Sequence, residues 1–433
     1  MTLRRRIAGL QSFLRQRQEA LCFDDIPDPR DPRGIRWPLV TLLSTAMWGL
    51  LTVGRSLRAA EELSEDLADA GKRLRIPRRV PDSTLGDALS RLDPEPLREH
   101  LRKQVRAEHR RKALAPTVLP IGVVSIDGKE VARTKTQCHA ASQEQTGPDG
   151  LPQFSFRVLN AALISAAAPL CIDQMPIPAD TNEMGAFAEF VGALVAAYQR
   201  SGLFEALVTD AGMTSETNAR LVDAQHLGYV MALKGNQPEL QREARRVMSA
   251  LTLRVEPEAQ TDWESDSSRG VIRHQIFRTV EMAGWGAWSH LRQVWLVRVL
   301  RRPANGGHEP IQILEERLYL TNLPTGRLDA AQCMRLVRAH WRIENVLHGT
   351  LDLQWQEDYS RWVRRGQGLP VCALLRALAF NLLAVLRAVH LRSDAAREVT
   401  WRRLRDWVRD CLLHPLVLPA AGDIAKEVAQ ATP

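Results

Sequence analysis

The chain has 433 residues, 45% of them hydrophobic and 25% charged, and its 58 Lys and Arg against 50 Asp and Glu give a net charge of +8. This composition excludes a disordered or fibrous chain, and the length predicts a large core with more than one domain. Most of the basic excess is Arg, which favours a polyanion such as nucleic acid as partner. Solvated basic faces explain the same excess equally well.

Cysteine spacing and apolar runs exclude several other classes. The six cysteines are scattered and form no CxxC pair, which excludes a zinc ribbon or a disulfide framework and indicates a reducing compartment. The uncharged run 37–53 and the run 369–386, interrupted by Arg376, are shorter than the roughly 20 residues that span a bilayer. We expect buried helices and no membrane partner. No GxxxxGK[ST] run occurs, so we expect no ATP-driven motor.

The first part of the chain is predicted to be helical. Its helical runs are PLVTLLSTAMWGLLTV, SLRAAEELSEDLADA, PDSTLGDALSRL and PEPLREHLRKQVRAEHRRKA. The last two begin with an Asp or Ser cap and with Pro, as helix N-termini favour. We predict an all-helical N-terminal domain over residues 1–115, whose basic last helix is a candidate for binding a DNA end.

From residue 119 the pattern changes to that of an α/β fold. Three strand-like runs, VLPIGVVSIDGKEVA, FSFRVLNAALISA and PLCIDQMPI, precede the helical run NEMGAFAEFVGALVAAYQRSG. A strand with EALVTDA, a helix and a strand with GYVMALKG follow. This order predicts a mixed sheet with flanking helices, as in a ribonuclease-H-like core, with its first part over 116–235.

The second half is predicted to hold an insertion and the rest of the core. Strand-like runs GVIRHQIFRTVEMA, QVWLVRVLRR and ERLYLTNL predict a β-rich insertion over 236–328. A helix follows over Leu328–Val346. We assign 329–393 to this helix and the remainder of the core, and 394–433 to a basic helix and tail.

Three acidic residues are candidate metal ligands. Asp127 and Asp210 each end a strand-like run, where ligands of such sheets bind, while Glu344 lies on one helix face with His340, Trp341, Leu347 and His348. A lone buried carboxylate is costly, and gathered carboxylates raise one another's pKa unless a cation is present. Hard cations such as Mg²⁺ prefer these oxygen ligands. The pattern therefore predicts a divalent-metal site.

Other interpretations of the same residues remain open. Asp127 and Asp210 also fit turn residues at strand ends, and Glu344 also fits an ion pair with Arg338 or Arg342. Zinc at His340, His348 and Glu344 lacks a supporting HExxH run or Cys pair.

Longer runs resemble the DDE transposases of bacterial insertion sequences, in the branch that includes the H-repeat-associated proteins. They are SIDGKEVARTK at 125–135, VTDAG at 208–212, YVMALKGNQPEL at 229–240 and RAHWRIENVLHGTLDLQWQEDYSR at 338–361. The helical run from DPRDPRG to RAAEEL is also similar, so the resemblance extends from about residue 20 to about residue 390.

The resemblance implies a ribonuclease-H-like fold with Asp127, Asp210 and Glu344 as catalytic residues and metal ligands. It implies two Mg²⁺ ions, with Mn²⁺ as an alternative, and double-stranded DNA as partner. Cutting at terminal inverted repeats and joining of the 3′-hydroxyl to target DNA are expected, by a homodimer or larger synaptic complex. A bacterial cytoplasmic, nucleoid-associated location would follow.

This chain departs from the Tyr, Arg, Glu, Lys signature that related transposases carry around the last acid. Val337, His340 and Leu351 occupy the Tyr, Arg and Lys positions. The candidate DNA contacts here are therefore other polar and basic residues near the three acids, namely Lys129, Arg133, Lys135, Lys234, Asn236, Arg338, Arg342 and His348.

Two other functions remain as alternatives. One is a catalytically degenerate relative that binds DNA without cutting it. The other is a ribonuclease-H-like nuclease that hydrolyses nucleic acid without strand transfer.

Overall fold

The chain divides into two units, each assembled from separate segments. The structure, a computed structural model, describes residues 3–52, 55–302, 310–359, 362–391 and 398–413, so the tail predicted after residue 413 lies outside it. The first unit comprises residues 1–107, 130–156 and 349–433, and the second comprises 108–129 and 157–348. The five predicted domain boundaries stay predictions.

The first unit contains most of the helices. They are α1 Leu3–Gln16, α2 Leu39–Thr52, α3 Leu57–Asp66, α4 Ala68–Arg73, α5 Asp82–Arg91, α6 Pro94–Arg110, α11 Gly349–Trp355, α12 Gly368–Val385 and α13 Trp401–Leu413. Local chemistry sets several starts: the Ser56 side chain accepts a hydrogen bond from the backbone N–H of Ala59 at the start of α3. Pro94 is the first residue of α6, where a missing N–H costs nothing.

Helix α12 is the core element of the first unit. Every one of its residues is buried, and it packs against α2 and α5. The stretch Gly368–His390 is long and apolar enough to cross a membrane, but its most apolar window is wholly buried within the protein. A helix that is apolar all round suits a position surrounded by protein. This confirms the prediction of a buried helix over 369–386.

An ion pair lies inside this core. The Arg376 Nη1 atom of α12 is 3.6 Å from the Glu357 Oε1 atom, and both side chains are at most 1% exposed. Removing two charges from water costs several kcal/mol each, and their mutual attraction offsets this only while both are present. Each residue of the pair therefore depends on the other.

The second unit is organised around a mixed sheet. The strands of the chain are β1 Val123–Thr134, β2 Gln143–Thr146, β3 Pro152–Leu163, β4 Cys171–Pro176, β5 Ala206–Thr209, β6 Gly228–Leu233, β7 Ala259–Gln260, β8 Glu264–Asp266, β9 Gly270–Thr279, β10 Gln293–Arg302 and β11 Gln312–Thr321. Their order is β2-β3-β1-β5-β6-β11-β10-β9-β7, with β4 paired to β3 and β8 to β9. Strand β2 and the adjoining end of β3 belong to the first unit.

Crossover helices connect the parallel centre of this sheet. Strand β1 is parallel to β5, and β5 is parallel to β6, whereas β3 and β4 are antiparallel. Helix α7 Glu183–Tyr198 leads from β4 to β5, and helix α8 Glu216–Ala224 leads from β5 to β6. The predicted mixed α/β fold is confirmed. Its assignment as ribonuclease-H-like stays a prediction.

The region 236–328 extends the same sheet. It holds helix α9 Pro238–Thr252 and strands β7 to β11. Strand β11 pairs antiparallel with β6, and β10 joins β11 to β9 in an antiparallel ladder. The region is rich in β-structure and continuous with the central strands. Its description as an insertion stays a prediction.

The helix predicted over Leu328–Val346 has a different geometry in the structure. Helix α10 runs over Ala330–His340 and begins with a capping box between Asp329 and Gln332. A π-helical turn then covers Ile343–His348, and α11 follows. The prediction of one regular helix was wrong, because a 3.6-residue pattern cannot reveal an i→i+5 turn. Such turns often occur at functional sites.

Candidate active site

Asp127 and Asp210 are neighbours on adjacent parallel strands. Ile126 of β1 pairs with Thr209, the last residue of β5, so Asp127 and Asp210 are the next residues along the two segments. Strand β1 continues through Asp127 to Thr134, so the prediction that Asp127 ends its strand was wrong. Parallel strands lie about 4.8 Å apart, which brings these residues side by side. Each side chain is held locally: the Asp127 Oδ1 atom accepts from the N–H of Gly128, and the Asp210 Oδ1 atom accepts from that of Gly212, both at 2.9 Å.

A buried hydrogen bond brings Glu344 to the same place. The Ser125 Oγ atom lies 2.8 Å from the His340 Nδ1 atom. Ser125 precedes Asp127 by two residues and shares its face of the strand, while His340 precedes Glu344 by about one helical turn. This hydrogen bond therefore fixes the helical segment that carries Glu344 next to the strand that carries Asp127.

The three carboxylates act on one another electrostatically. Burial, and then the charges of Glu344, Asp210 and Glu183, raise the pKa of Asp127 to about 8. Burial and the charge of Asp210 raise the pKa of Glu344, against the positive charges of Arg317 and Lys234. Nearby like charges of this kind mark sites where a cation would be favoured.

His348 is placed against Asp127 in the interior. Its Nδ1 atom is 3.6 Å from the Asp127 Oδ2 atom, and its Nε2 atom is 3.1 Å from the Asn160 Nδ2 atom. The Asn160 Oδ1 atom accepts from Gln174, so the Asn160 amide nitrogen donates to Nε2 and the ring proton lies on Nδ1, facing Asp127. Burial lowers the pKa of His348 to about 3, so the ring is neutral.

A fourth acid, Glu183, lies at the site and was not found from the sequence. It is the first residue of α7 and forms an ion pair with Arg157. A side chain at Gly128 would collide with the Glu183 carboxylate, so this acid touches the backbone next to Asp127. The only signal in the sequence was the Asn182 cap before it, which marks the helix start but not what the helix approaches.

The predicted DNA contacts of the second unit near the acids have different environments. Lys129 is 7% exposed, and its charge lowers the pKa of His348. Lys234 is exposed, and its positive charge partly opposes the rise in the pKa of Glu344. Of these two, Lys234 has the exposure that a phosphate contact needs.

Arg338 and Arg342 are engaged elsewhere than with Glu344. Arg338 forms a 2.8 Å ion pair with Glu264. Arg342 donates to the backbone carbonyl oxygens of Ala166 and Ala167 at 2.9 and 3.1 Å. The alternative in which one of these arginines pairs with Glu344 is therefore not what the structure shows.

Arg133 and Lys135 belong to the first unit. Arg133 is exposed and forms a 2.8 Å ion pair with Glu130, and Lys135 is exposed. Contact of these two residues with DNA stays a prediction.

The three acids have the chemistry of a divalent-cation site. Within the described ranges, however, no three His, Cys, Asp or Glu side chains are already arranged to hold a metal ion. Asp127 is largely shielded from solvent, with its side chain 16% exposed, and the charges of Glu344 and Asp210 further disfavour its ionisation. A divalent cation would compensate all three charges, and carboxylate oxygens are the ligands that Mg²⁺ prefers. The donor set therefore fits this ion.

Comparison with known families defines the class of protein. Residues 119–382 match the family described as "Transposase DDE domain". Residues 20–105 match a second family, described as associated with that domain. The chain belongs to the DDE transposase family.

Three similar proteins of Escherichia coli indicate the branch. "Putative transposase YncI" of strain O157:H7 is 26% identical over 49% of this chain and 52% of its own length. "Putative protein YbfL" and "H repeat-associated putative transposase YhhI" of strain K12 are each 26% identical over 60% of this chain and 64% of their own lengths. The resemblance to the H-repeat-associated branch is confirmed, while the chain spans between half and two thirds of these relatives.

One solved structure is similar at low level. The piggyBac transposase in a synaptic complex with hairpin DNA has a TM-score of 0.46 and 12% identity, over 98% of this chain and 85% of that chain. Similarity at this level does not define the fold of this chain.

Proposed function

We propose that this chain is a metal-dependent DNA transposase that cuts at the ends of an insertion sequence and joins the 3′-hydroxyl to target DNA. Membership of the DDE transposase family supports the reaction class. The observation that carries the assignment of the site is Asp127, whose pKa is raised to about 8 by desolvation and by the charges of Glu344 and Asp210. A site in which gathered carboxylates repel one another in this way favours a bound cation.

In this proposal, Asp127, Asp210 and Glu344 hold two Mg²⁺ ions, with Mn²⁺ as an alternative. Bound there, the ions would supply activation of the attacking hydroxyl and stabilisation of the leaving oxygen. The chain's own residues orient the ligands. His348 directs its Nδ1 proton toward Asp127, and the hydrogen bond between Ser125 and His340 holds the helix that carries Glu344.

The proposed partners are double-stranded DNA, as terminal inverted repeats and target, and a second copy of this chain in a dimer or larger synaptic complex. Lys234 is the best-placed phosphate contact, because it is exposed and its charge reaches Glu344. The proposed location is the bacterial cytoplasm, at the nucleoid.

Metal binding should release a proton from Asp127. The folded pKa is about 8, against an ordinary value of 3.8, so the metal-free folded state keeps a proton that the unfolded state loses. Stability of the metal-free protein should therefore fall as pH rises from about 4 to about 8. At pH 7, binding of Mg²⁺ should release about one proton, measurable by titration calorimetry in two buffers of different ionisation enthalpy.

The same titration at pH 9 is the internal control for this prediction. Above the pKa of Asp127 the carboxyl is already ionised, so the heat of binding should no longer depend on the buffer. Buffer-independent heat at pH 7 would mean that Asp127 is ionised without metal, contrary to the electrostatics described above.

Analysis of products separates transposition from hydrolysis. The substrate would be duplex DNA carrying the inverted repeats that flank the coding region, incubated with a plasmid target and Mg²⁺. We expect 3′-ends at the repeat boundary to become joined to the plasmid, because a 3′-hydroxyl can attack a phosphodiester where water otherwise would. Cleaved ends with no joined product would instead support the nuclease alternative.

A further inference from the structure

The loop that follows Asp210 is held by one side chain from a distant part of the sequence. Both hydrogen bonds of the Asn236 Nδ2 atom go to this loop, to the carbonyl oxygens of Ala211 and Thr214, at 2.9 Å each. Asn236 follows strand β6, which lies next to β5, the strand that Asp210 follows. The amide therefore bridges the segments that leave two adjacent strands.

The orientation of this amide is determined by its partners. Both partners are backbone carbonyl oxygens, which only accept, so the nitrogen and not the oxygen must face them. An amide nitrogen has two hydrogens, and both are used. A contact to a DNA phosphate needs a donor, and the Asn236 side chain has only its oxygen left for that purpose.

We infer that Asn236 is a positioning residue for Asp210 and does not contact DNA through its amide. The inference rests on the proposed function, in which Asp210 is a metal ligand. It replaces the expectation from sequence that placed Asn236 among the DNA contacts, and it assigns a task to part of the KGNQ run at 234–237.

The side chain of a second residue, Thr214, also holds this loop. Thr214 is fully buried, and its Oγ1 atom lies 2.6 Å from the carbonyl oxygen of Ala232 and 3.2 Å from that of Asp210. The Asn218 side chain also donates to the carbonyl oxygen of Met213, at 2.9 Å. The loop is therefore tied on both sides to strand β6 and helix α8.

These ties determine where the Asp210 carboxylate lies. Its Oδ1 atom accepts from the N–H of Gly212, which is inside the loop that Asn236 spans. If the loop relaxed, this N–H would move and the carboxylate would lose its fixed direction. Residues that orient metal ligands in this way typically change metal affinity by about 10- to 100-fold when they are replaced.

The test measures metal binding and DNA binding separately on the full chain. Titration calorimetry with Mn²⁺, without DNA, would compare the wild type with Asn236→Asp and Asp210→Ala. Asn236→Asp keeps the shape but replaces both donors by acceptors that repel the two carbonyl groups. We expect about 10- to 100-fold weaker Mn²⁺ binding, an unchanged Kd for duplex DNA, and partial recovery of cleavage at raised Mn²⁺.

Gln237→Glu is the matched control, since it makes the same amide-to-carboxylate change one residue away, at a side chain that forms no capping hydrogen bond. It should leave the Mn²⁺ affinity unchanged. Thr214→Val removes the hydrogen bonds of the Thr214 hydroxyl without changing side-chain size. Like Asn236→Asp, it should weaken Mn²⁺ binding. Its melting temperature and that of Asn236→Asp would show whether each variant is folded.

The outcomes are distinguishable. If Asp210→Ala weakens Mn²⁺ binding but neither Asn236→Asp nor Thr214→Val does, the inference about Asn236 is wrong while the proposed function stands. If Asn236→Asp weakens duplex binding with unchanged Mn²⁺ affinity, Asn236 is a DNA contact after all. If Asp210→Ala binds Mn²⁺ as the wild type does, the proposed site itself is wrong.

Discussion

Replacement of Asp127, Asp210 or Glu344 by Ala is expected to reduce Mg²⁺-dependent cleavage of DNA ends by about 10³-fold or more. Each residue supplies oxygen ligands to the proposed cation site, and loss of one removes several kcal/mol of charge stabilisation in the transition state. Gel analysis of cleavage of a labelled duplex that carries the inverted repeat would measure the loss.

Binding of uncleaved duplex should survive these substitutions, because phosphate contacts come from basic residues and not from the acids. Glu189→Ala is a suitable control, since Glu189 is an exposed acid on the same helix as Glu183. It should cleave as the wild type does. If the three site variants kept wild-type cleavage, the catalytic assignment would fail, and if the wild type itself did not cleave, the degenerate relative would be favoured.

The buried pair of Glu357 and Arg376 leads to the second large effect, on stability. Glu357→Gln removes the carboxylate charge that lies 3.6 Å from the Arg376 guanidinium in the core. Breaking a buried pair by removing one partner typically costs about 3–5 kcal/mol of unfolding free energy. Urea unfolding combined with hydrogen exchange of the α12 amides would report the loss in the first unit.

Two further variants test the cause of this loss. Replacing both residues, as in Glu357→Leu with Arg376→Met, should cost much less than the sum of the single changes, because no charge is then left behind. Asp87→Asn removes one partner of an exposed pair with Arg91 on α5, and should cost at most about 1 kcal/mol. A small effect of Glu357→Gln would show that water or other groups already solvate this pair.

The central strands could be predicted from sequence because their signals are local. An apolar run that stops at Asp127, followed at once by Gly128, predicts a strand end, and this prediction was wrong because strand β1 continues through Asp127 to Thr134. The same prediction for Asp210 is confirmed, since Asp210 directly follows the short buried strand β5. What the runs cannot show is register, and it is the pairing of Ile126 with Thr209 that makes the two aspartates neighbours.

The supporting residues could not be predicted, because their roles depend on contacts far apart in the sequence. The position of Arg342 near Glu344 predicts a DNA contact, whereas its guanidinium donates to the backbone carbonyl oxygens of Ala166 and Ala167. Asn236 and Glu183 act on residues 22 and 55 positions away, Thr214 and Gly128. No periodicity or spacing rule carries such information.

The π-helical turn changes the direction in which the residues after it project from the helix that carries Glu344. In an uninterrupted α-helix, His340 and His348 would be rotated apart by about 80°, since each residue advances about 100°. A single i→i+5 turn accommodates one additional residue, and so reduces the angle between His340 and His348 by roughly the rotation of one residue. Both imidazoles can then face strand β1, one against Ser125 and the other against Asp127, with Glu344 between them. Regular α-helical winding through Ile343–His348 at unchanged chain length would turn His348 away from Asp127, whereas deleting one residue there would remove the extra residue and keep both imidazoles on one face.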